Sequence, residues 1–285
     1  MPSTNPNCNG LHHLSDLQFG WTVVVVVGTI VSNIPQQYRL ARRRSAEGVS
    51  SYFLLTSVMS ATCGMANITI LSLDIFACCK MGRITKAECL SAVTGVVVNC
   101  TQWTCMAAIL VIWSVVLPIT KWEFPDKPHD TMAHLIWTNV ICAVHLVFTF
   151  GLFGVLYRFS YHRLTGYANA NGVISAIIAA LQYAPQIWRT WTLEHIGSIS
   201  IPWLIVQTPG GLIAMTALVG RPGTNWTTWL GSIGTFIGQV VLLILCCFYA
   251  WRERRKRKKE EEEMGIRDAW TWSNWPRKLV KWIFS

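Results

Sequence analysis

Charge is what this sequence most lacks. Asp, Glu, Lys and Arg make up 13% of its 285 residues, against about 25% in an ordinary soluble domain. A chain this poor in charge and 52% hydrophobic is neither disordered nor an ordinary soluble enzyme. No basic segment followed by an apolar core precedes residue 19, so the first apolar run is expected to act as its own insertion signal. No zinc-ligand spacing surrounds Cys78, Cys79 and Cys89, and no GxxxxGK[ST] loop is present to cradle a phosphate. His12-His13 stand in a tail, and His134 and His145 have no carboxylate near them in sequence. The sequence therefore implies no metal, no cofactor and no enzymatic activity.

What is present is a series of apolar runs near the length that crosses a bilayer as helix, about 20 residues. They fall near 19–35, 52–73, 90–117, 133–157, 172–188, 202–219 and 227–251. The expected fold is an all-α integral membrane protein with seven transmembrane helices, of which the first and fifth are short and end at a Pro-Gln pair. Valine-rich stretches such as Val23–Val27 are poor helix formers in water, but lipid leaves the backbone no other way to satisfy its hydrogen bonds.

Lys and Arg set the orientation. With the N-terminus lumenal, the cytosolic segments hold 18 of the 24 basic residues and the opposite side holds 6. The C-terminus is then cytosolic. The net charge of +10 gathers largely in 252–259, beside the last span. A basic block there meets the bilayer and its anionic headgroups rather than nucleic acid. An acidic run follows it, and 252–263 is expected to extend the last helix. Trp270, Trp272, Trp275 and Trp282 with Lys278 and Lys281 then suit the headgroup layer. Cys63, Cys100, Cys105 and Cys142 fall inside spans as packing residues. Cys8, Cys78, Cys79 and Cys89 fall outside them, where a lumenal disulfide is plausible in any pairing. Asn225-Trp-Thr is a candidate glycosylation sequon on the lumenal side. The sequence carries no signal for an oligomeric state.

An internal repeat organises the chain. A shift of 150 residues sets Pro35 on Pro185, Gln36 on Gln186, Arg39 on Arg189, Ser50 on Ser200 and Leu54 on Leu204. Three helices, one connector and three more follow. An odd connector leaves the two triplets in the same orientation, a parallel repeat about an axis along the membrane normal. The expected organisation is a lumenal tail (1–18), a first three-helix bundle (19–117), a connector loop and helix (118–171), a second bundle (172–251) and a cytosolic tail (252–285).

On Pro35-Gln36 through Gly48-Val49-Ser50 and Pro185-Gln186 through Ser198-Ile199-Ser200, the chain resembles the PQ-loop repeat proteins. That superfamily includes cystinosin, the lysosomal cationic amino-acid exporters and, more distantly, the SWEET sugar transporters. The resemblance covers about residues 19–251. It implies a small-molecule transporter of an internal membrane, vacuolar or lysosomal, whose two bundles rock around a central cavity, with an amino acid as one expected substrate.

The residues supply reasons for such a role. Proline removes a backbone donor and clashes with the carbonyl four residues back. Pro35 with Gln36 and Pro185 with Gln186 are accordingly gate candidates, the glutamines offering both donors and acceptors. Cavity candidates are polar residues at mid-span: Asn67, Asn99, Gln102, Trp103, Gln182, Gln207 and Gln239. A buried amide without a partner is costly in hydrocarbon, so each faces either a wet cavity or a neighbouring helix. The sequence leaves both readings open; Gln102 and Gln239 lead. Pro209-Gly210-Gly211 is a hinge candidate, and Gly234-x-x-x-Gly238 a helix-packing strip. No Asp, Glu, Lys or Arg lies deep in a span. Proton-coupled relatives carry an intramembrane Asp after a PQ loop, and here 60–67 has none. His145 titrates near neutral pH as a residue type but lies in the connector. Facilitated diffusion of a neutral or zwitterionic solute fits best. A receptor, sorting receptor or nutrient sensor of the same fold is the alternative.

Overall fold

The computed structural model describes residue 8 and residues 16–43, 50–123, 131–194, 201–219 and 225–263. The side chains of Pro35, Gln36, Arg39 and Arg189, the motif segments 44–49 and 195–200, and the Trp-rich tail lie outside the described residues.

Among the described residues every regular element is a helix: α1 (Asp16–Arg43), α2 (Ser51–Leu71), α3 (Leu73–Lys80), α4 (Lys86–Ala92), α5 (Thr94–Glu123), α6 (Met132–Phe159), α7 (Leu164–Leu181), α8 (Ala184–Leu193), α9 (Ile201–Val219) and α10 (Trp226–Glu263). Five stretches are long and apolar enough to cross a membrane: Ser51–Leu71, Thr94–Ile119, Met132–Phe159, Tyr161–Thr192 and Trp226–Lys259. Val23–Ile34 in α1 is a shorter apolar run, and α9 is a 19-residue helix of apolar composition.

The packing repeats itself. α5 packs against both α1 and α2, and α10 packs against both α7 and α9. Across the middle, α2 packs on α7 and α1 on α9. Exchanging α1 with α7 and α2 with α9 carries one cross-contact into the other. Two buried clusters anchor the halves. Leu54, Val58, Met106, Ile109, Trp113, Leu117 and Cys142 join α2, α5 and α6. Tyr183, Leu204, Leu242 and Cys246 join the α7–α8 junction, α9 and α10. α6 leans on α2 and turns Val144, Val147, Phe148 and Val155 outward, the belt expected of a helix facing lipid.

Gly234 and Gly238 seat α10 on α7. A Cβ on Gly238 would lie 2.6 Å from the Tyr183 ring, and one on Gly234 3.2 Å from the Ala180 Cβ. At one end of the bundle, disulfides Cys8–Cys78 and Cys79–Cys89 tie α3 and α4 together around Ile84. α4 starts there on a reciprocal capping box between Thr85 and Glu88.

Four sequence expectations are corrected. α1 does not end at Pro35; it continues to Arg43. Side chains reinforce the turns before the proline: Thr29 Oγ1 donates to Val25 O (2.8 Å), and Ser32 Oγ and Asn33 Nδ2 donate to Thr29 O (3.0 and 2.7 Å). The repeat-equivalent positions are Ala179, Gln182 and Tyr183, and there a two-residue turn, Gln182–Tyr183, interrupts the helix while both residues stay in the right-handed helical region. α7 stops at Leu181, and Pro185 is the second residue of α8, where its missing N–H costs nothing. Pro185 therefore starts a helix rather than ending one. The fifth span is also longer than expected, beginning at Leu164 inside the segment assigned to the connector. Tyr167, Asn169 and Asn171 are the polar residues of that added stretch. The fold satisfies them through Tyr167 Oη to Thr149 O (2.9 Å), Asn225 Nδ2 to Asn169 Oδ1 (2.9 Å) and Asn171 Nδ2 to Tyr167 O (2.9 Å). Last, the third span is divided at Val93 into α4 and α5. Its first turns belong to the disulfide-bonded end, where the capping box sets a separate helix start.

Candidate functional site

A cavity of about 320 Å³ lies between the two halves. Its wall comes from α1, α2, α5, α7, α9 and α10, and no charged side chain among the described residues is part of it. Six of the seven expected polar residues line it: Asn67, Asn99, Gln102, Gln182, Gln207 and Gln239. Trp103 does not. Its indole Nε1 donates to Thr62 Oγ1 at 3.0 Å, so it joins α5 to α2 beside the cavity. A buried indole N–H needs such a partner, which explains the placement. Gly210 and Gly211 line the wall, while Pro209 is outside it and exposed. α9 runs unbroken through all three.

The lining polar residues differ in what holds them. Asn67 is buried and committed, its Nδ2 donating to Ala168 O (2.8 Å) and Thr227 Oγ1 (3.1 Å). Asn99 Nδ2 donates to Gly95 O within its own helix (3.0 Å). Gln239 is 1% exposed; its Nε2 donates to Tyr183 Oη (3.0 Å), while its Oε1 meets no partner among the described residues. Gln207 Oε1 and Ser57 Oγ are likewise buried and unpartnered among the described residues. In a native protein such orphaned atoms at a cavity wall mark places where water or a ligand bonds. Gln182 is buried at the wall and Gln102 half-buried.

The wall is built from equivalent positions of the repeat. The shift of 150 pairs lining residues Val25 with Ser175, Thr29 with Ala179, Ser32 with Gln182, Ser57 with Gln207, Ser60 with Gly210 and Ala61 with Gly211. For α5 and α10 the shift is 133, because α3, α4 and their turns lengthen the first copy. It pairs Val98 with Gly231, Asn99 with Ser232, Gln102 with Thr235 and Met106 with Gln239. In most of these polar pairs one partner is a long amide and the other a small side chain. The backbone frame is twofold; its chemistry is not.

The two ends are closed differently. Toward the disulfides, Asn67, Ala168, Asn169, Asn225 and Thr227 form one hydrogen-bonded cluster across α2, α7 and α10. Asn225 caps α10: its Oδ1 accepts from Thr227 N (3.1 Å), and its Nδ2, the atom a glycan would use, is bonded to Asn169. At mid-depth Ser60 and Ser175 bond reciprocally, each hydroxyl donating to the other's carbonyl (3.0 and 2.9 Å). Toward the Pro-Gln end, Tyr183 lies between Gln239 and Phe53, the two rings edge to face at 6.2 Å. Pro185 is exposed and Gln186 half-buried, one turn beyond the cavity. Sequence reasoning missed Tyr183, Ser57, Ser60, Ser175 and Thr227. The shift of 150 held a signal for three of them, because it sets Tyr183 on Asn33, Ser57 on Gln207 and Ser60 on Gly210.

Comparison with known proteins agrees with the repeat. The family model described as the PQ loop repeat matches residues 20–77 and 167–227. An uncharacterized protein of Schizosaccharomyces pombe is 28% identical over 235 residues, covering 79% of this chain and 78% of its own length.

Proposed function

The chain belongs to the PQ-loop repeat family, and on that premise we propose that it is a small-solute transporter working by alternating access. The single observation that carries this reading is a cavity between two halves whose mostly apolar wall carries several amides and, among the described residues, no charge, and which is walled by pairwise equivalent positions. Two parallel triplets, α1–α2–α5 and α7–α9–α10, rock about this cavity, with α6 as connector. The closed cluster around Asn67 and Thr227 is one gate. The other is Tyr183 with the α7–α8 turn, and Pro185-Gln186 and Pro35-Gln36 flank it. Gln102, Gln182, Gln207 and Gln239 bind solute, each offering donors and acceptors. With no fixed charge in the wall, the solute is neutral or zwitterionic, an amino acid being one such class, and movement is uniport.

The disulfide-bonded end suits a lumenal, oxidising compartment, and the basic stretch of α10 at the other end suits the cytosol. Both support a lumenal N-terminus and a cytosolic C-terminus in an endomembrane such as the vacuole or lysosome. A receptor or nutrient-sensor reading is favoured by one observation. α10 has 38 residues, about 57 Å at 1.5 Å per residue, and its exposed basic extension is tied to α8 by Arg252 Nη1–Glu194 Oε2 (2.8 Å).

Counterflow uptake into proteoliposomes separates these readings. The panel holds neutral, basic and sulfur amino acids and hexoses, with and without a pH gradient, beside Gln239→Ala. Uptake of one class, lost in the variant and indifferent to pH, supports uniport through this cavity. No uptake of any class by folded protein refutes transport of these solutes and favours the sensor.

A further inference from the structure

The repeat makes the α2–α7 and α1–α9 seams equivalent, yet the two are built in opposite ways. The α2–α7 seam is sealed by the Ser60–Ser175 bonds. It is so tight that a Cβ on Gly172 would lie 2.7 Å from Asn67 Nδ2. At the α1–α9 seam the same two positions are Gly210 and Val25, which form no such bond. Beside Val25, Thr29, Ser32, Gln207 and Gly211, the cavity wall there has an outer set of four, Val24, Gly28, Gly210 and Ile213. All four are exposed, Val24 by 56% and Ile213 by 37%.

Their position on each helix says where that exposure leads. α1 holds α5 through its other edge, where Gln37 Nε2 donates to Cys105 O (3.3 Å). α9 holds α10 through Leu204. Val24 and Gly28 therefore sit on the α9 side of α1, and Gly210 and Ile213 on the α1 side of α9. Glycine inside a helix usually permits close approach, but a Cβ on Gly28 or Gly210 would meet nothing within 4 Å among the described residues. Here glycine keeps a gap open. Val23, Val27 and Val31 of α1 and Ile205 and Leu212 of α9 are exposed and apolar, as at a lipid boundary. Behind it lies unsatisfied polarity: Gln239 Oε1 is unpartnered among the described residues and 3.7 Å from where a Gly211 Cβ would stand.

We propose that the α1–α9 seam is a lateral portal from the bilayer, and that the cavity receives the uncharged, hydroxyl-bearing head of an acyl-chain lipid. An apolar rim facing hydrocarbon passes methylene groups readily and hydrated ions poorly. Among the described residues the wall has no cation to neutralise a phosphate, whereas hydroxyls both donate to the orphaned amide oxygens and accept from amide N–H groups. A cavity of about 320 Å³ has room for about ten waters at ~30 Å³ each. That admits a sugar-sized head but not its chain, so the chain stays outside, across Val24, Gly28, Gly210 and Ile213.

The inference rests on the reading of this cavity as a transport site. The test uses full-length protein in proteoliposomes with glucosylceramide carrying a fluorophore on its acyl chain. Dithionite added outside reports movement of the probe from the inner leaflet. Gly210→Leu and Gly28→Leu plug the portal by filling open space, and either one that folds suffices. Val147→Leu, on the lipid face of α6, is the control. The expected result is inner-leaflet bleaching by wild type and the control, slowed at least tenfold by a plug, with labelled phosphatidic acid left in place. Soluble-solute counterflow without probe movement overturns the portal and leaves transport standing. Neither activity from folded protein overturns both. Equal movement of phosphatidic acid overturns the uncharged head.

Discussion

Gly172→Ala tests the sealed seam. The new Cβ would meet Asn67 Nδ2 and Thr227 Cβ at 2.7 Å and Thr227 O at 2.9 Å. Separations under 3 Å are not tolerated by a methyl group, and one of the three atoms is backbone of α10, so the helices must part or Asn67 must rotate away. Overpacking of this kind costs about 1–3 kcal/mol. Rotating Asn67 also gives up bonds to Ala168 O and Thr227 Oγ1, about 1 kcal/mol each. Replacing a helical glycine by alanine returns about 0.5–1 kcal/mol. With Asn67 rotated away, the balance is a loss of about 2–4.5 kcal/mol. Gly28→Ala is the paired control, because its Cβ meets nothing and only the helix gain remains. Thermal unfolding of the purified protein in detergent reads the pair: a fall of several degrees for Gly172→Ala, and none for Gly28→Ala. Equal melting temperatures for the two would refute the close approach of α2, α7 and α10.

Other consequences are as specific. Trp103→Phe removes the bond to Thr62 Oγ1 and should lower stability by about 0.5–1.5 kcal/mol while uptake affinity stays unchanged; altered affinity would return Trp103 to the cavity. Ser60→Ala and Ser175→Ala should each remove one hydroxyl-to-carbonyl bond and keep the other, because both acceptors are backbone carbonyls, so each should cost about 1 kcal/mol and the double variant about the sum; unfolding midpoints unchanged in both single variants contradict the bonds. Reduction of Cys8–Cys78, which closes a separation of 70 residues, should cost about 2–4 kcal/mol. That is readable as a lower melting temperature in dithiothreitol, and a Cys8→Ser variant insensitive to the reductant at that bridge assigns it. Asn225→Gln should destabilise by loss of the α10 cap, by about 1 kcal/mol, without removing a glycan; a mobility shift on glycosidase treatment of the wild type would show that Asn225 is modified despite its bond to Asn169.

The sequence made the repeat legible because identical residues mark it at a fixed shift, and mid-span depth then marked the amides of five helices that line the cavity. Asn99 and Gln102 share a face of α5 by their spacing alone, and Gln239 is an amide in a run that otherwise has no reason to hold one. Trp103 was misread because its neighbour Gln102 faces the cavity; a rotation of 100° per residue carries the indole to Thr62 instead. Where α1 ends was not legible from Pro35, since the deciding groups are Thr29, Ser32 and Asn33, whose hydroxyls and amide take up backbone carbonyls. Tyr183 escaped notice because an aromatic two residues before a proline suggests packing. Its hydrogen bond to Gln239 depends on how α10 lies on α7, which Gly238 sets. The contrast between the two seams was least legible of all. It depends on Ser60 and Gly210 being equivalent positions with opposite roles, and one copy read alone gives no hint of it.

Alternating access to the cavity is the central claim, and two-sided labelling of Gln102→Cys tests it most directly. The background replaces the six free cysteines, Cys63, Cys100, Cys105, Cys142, Cys246 and Cys247, and retains both disulfides. A membrane-impermeant thiol reagent is applied from either face of oriented vesicles. The account predicts labelling from each side, slowed by the transported solute in both cases. Labelling from one side alone, unaffected by Gly172→Ala, would contradict it.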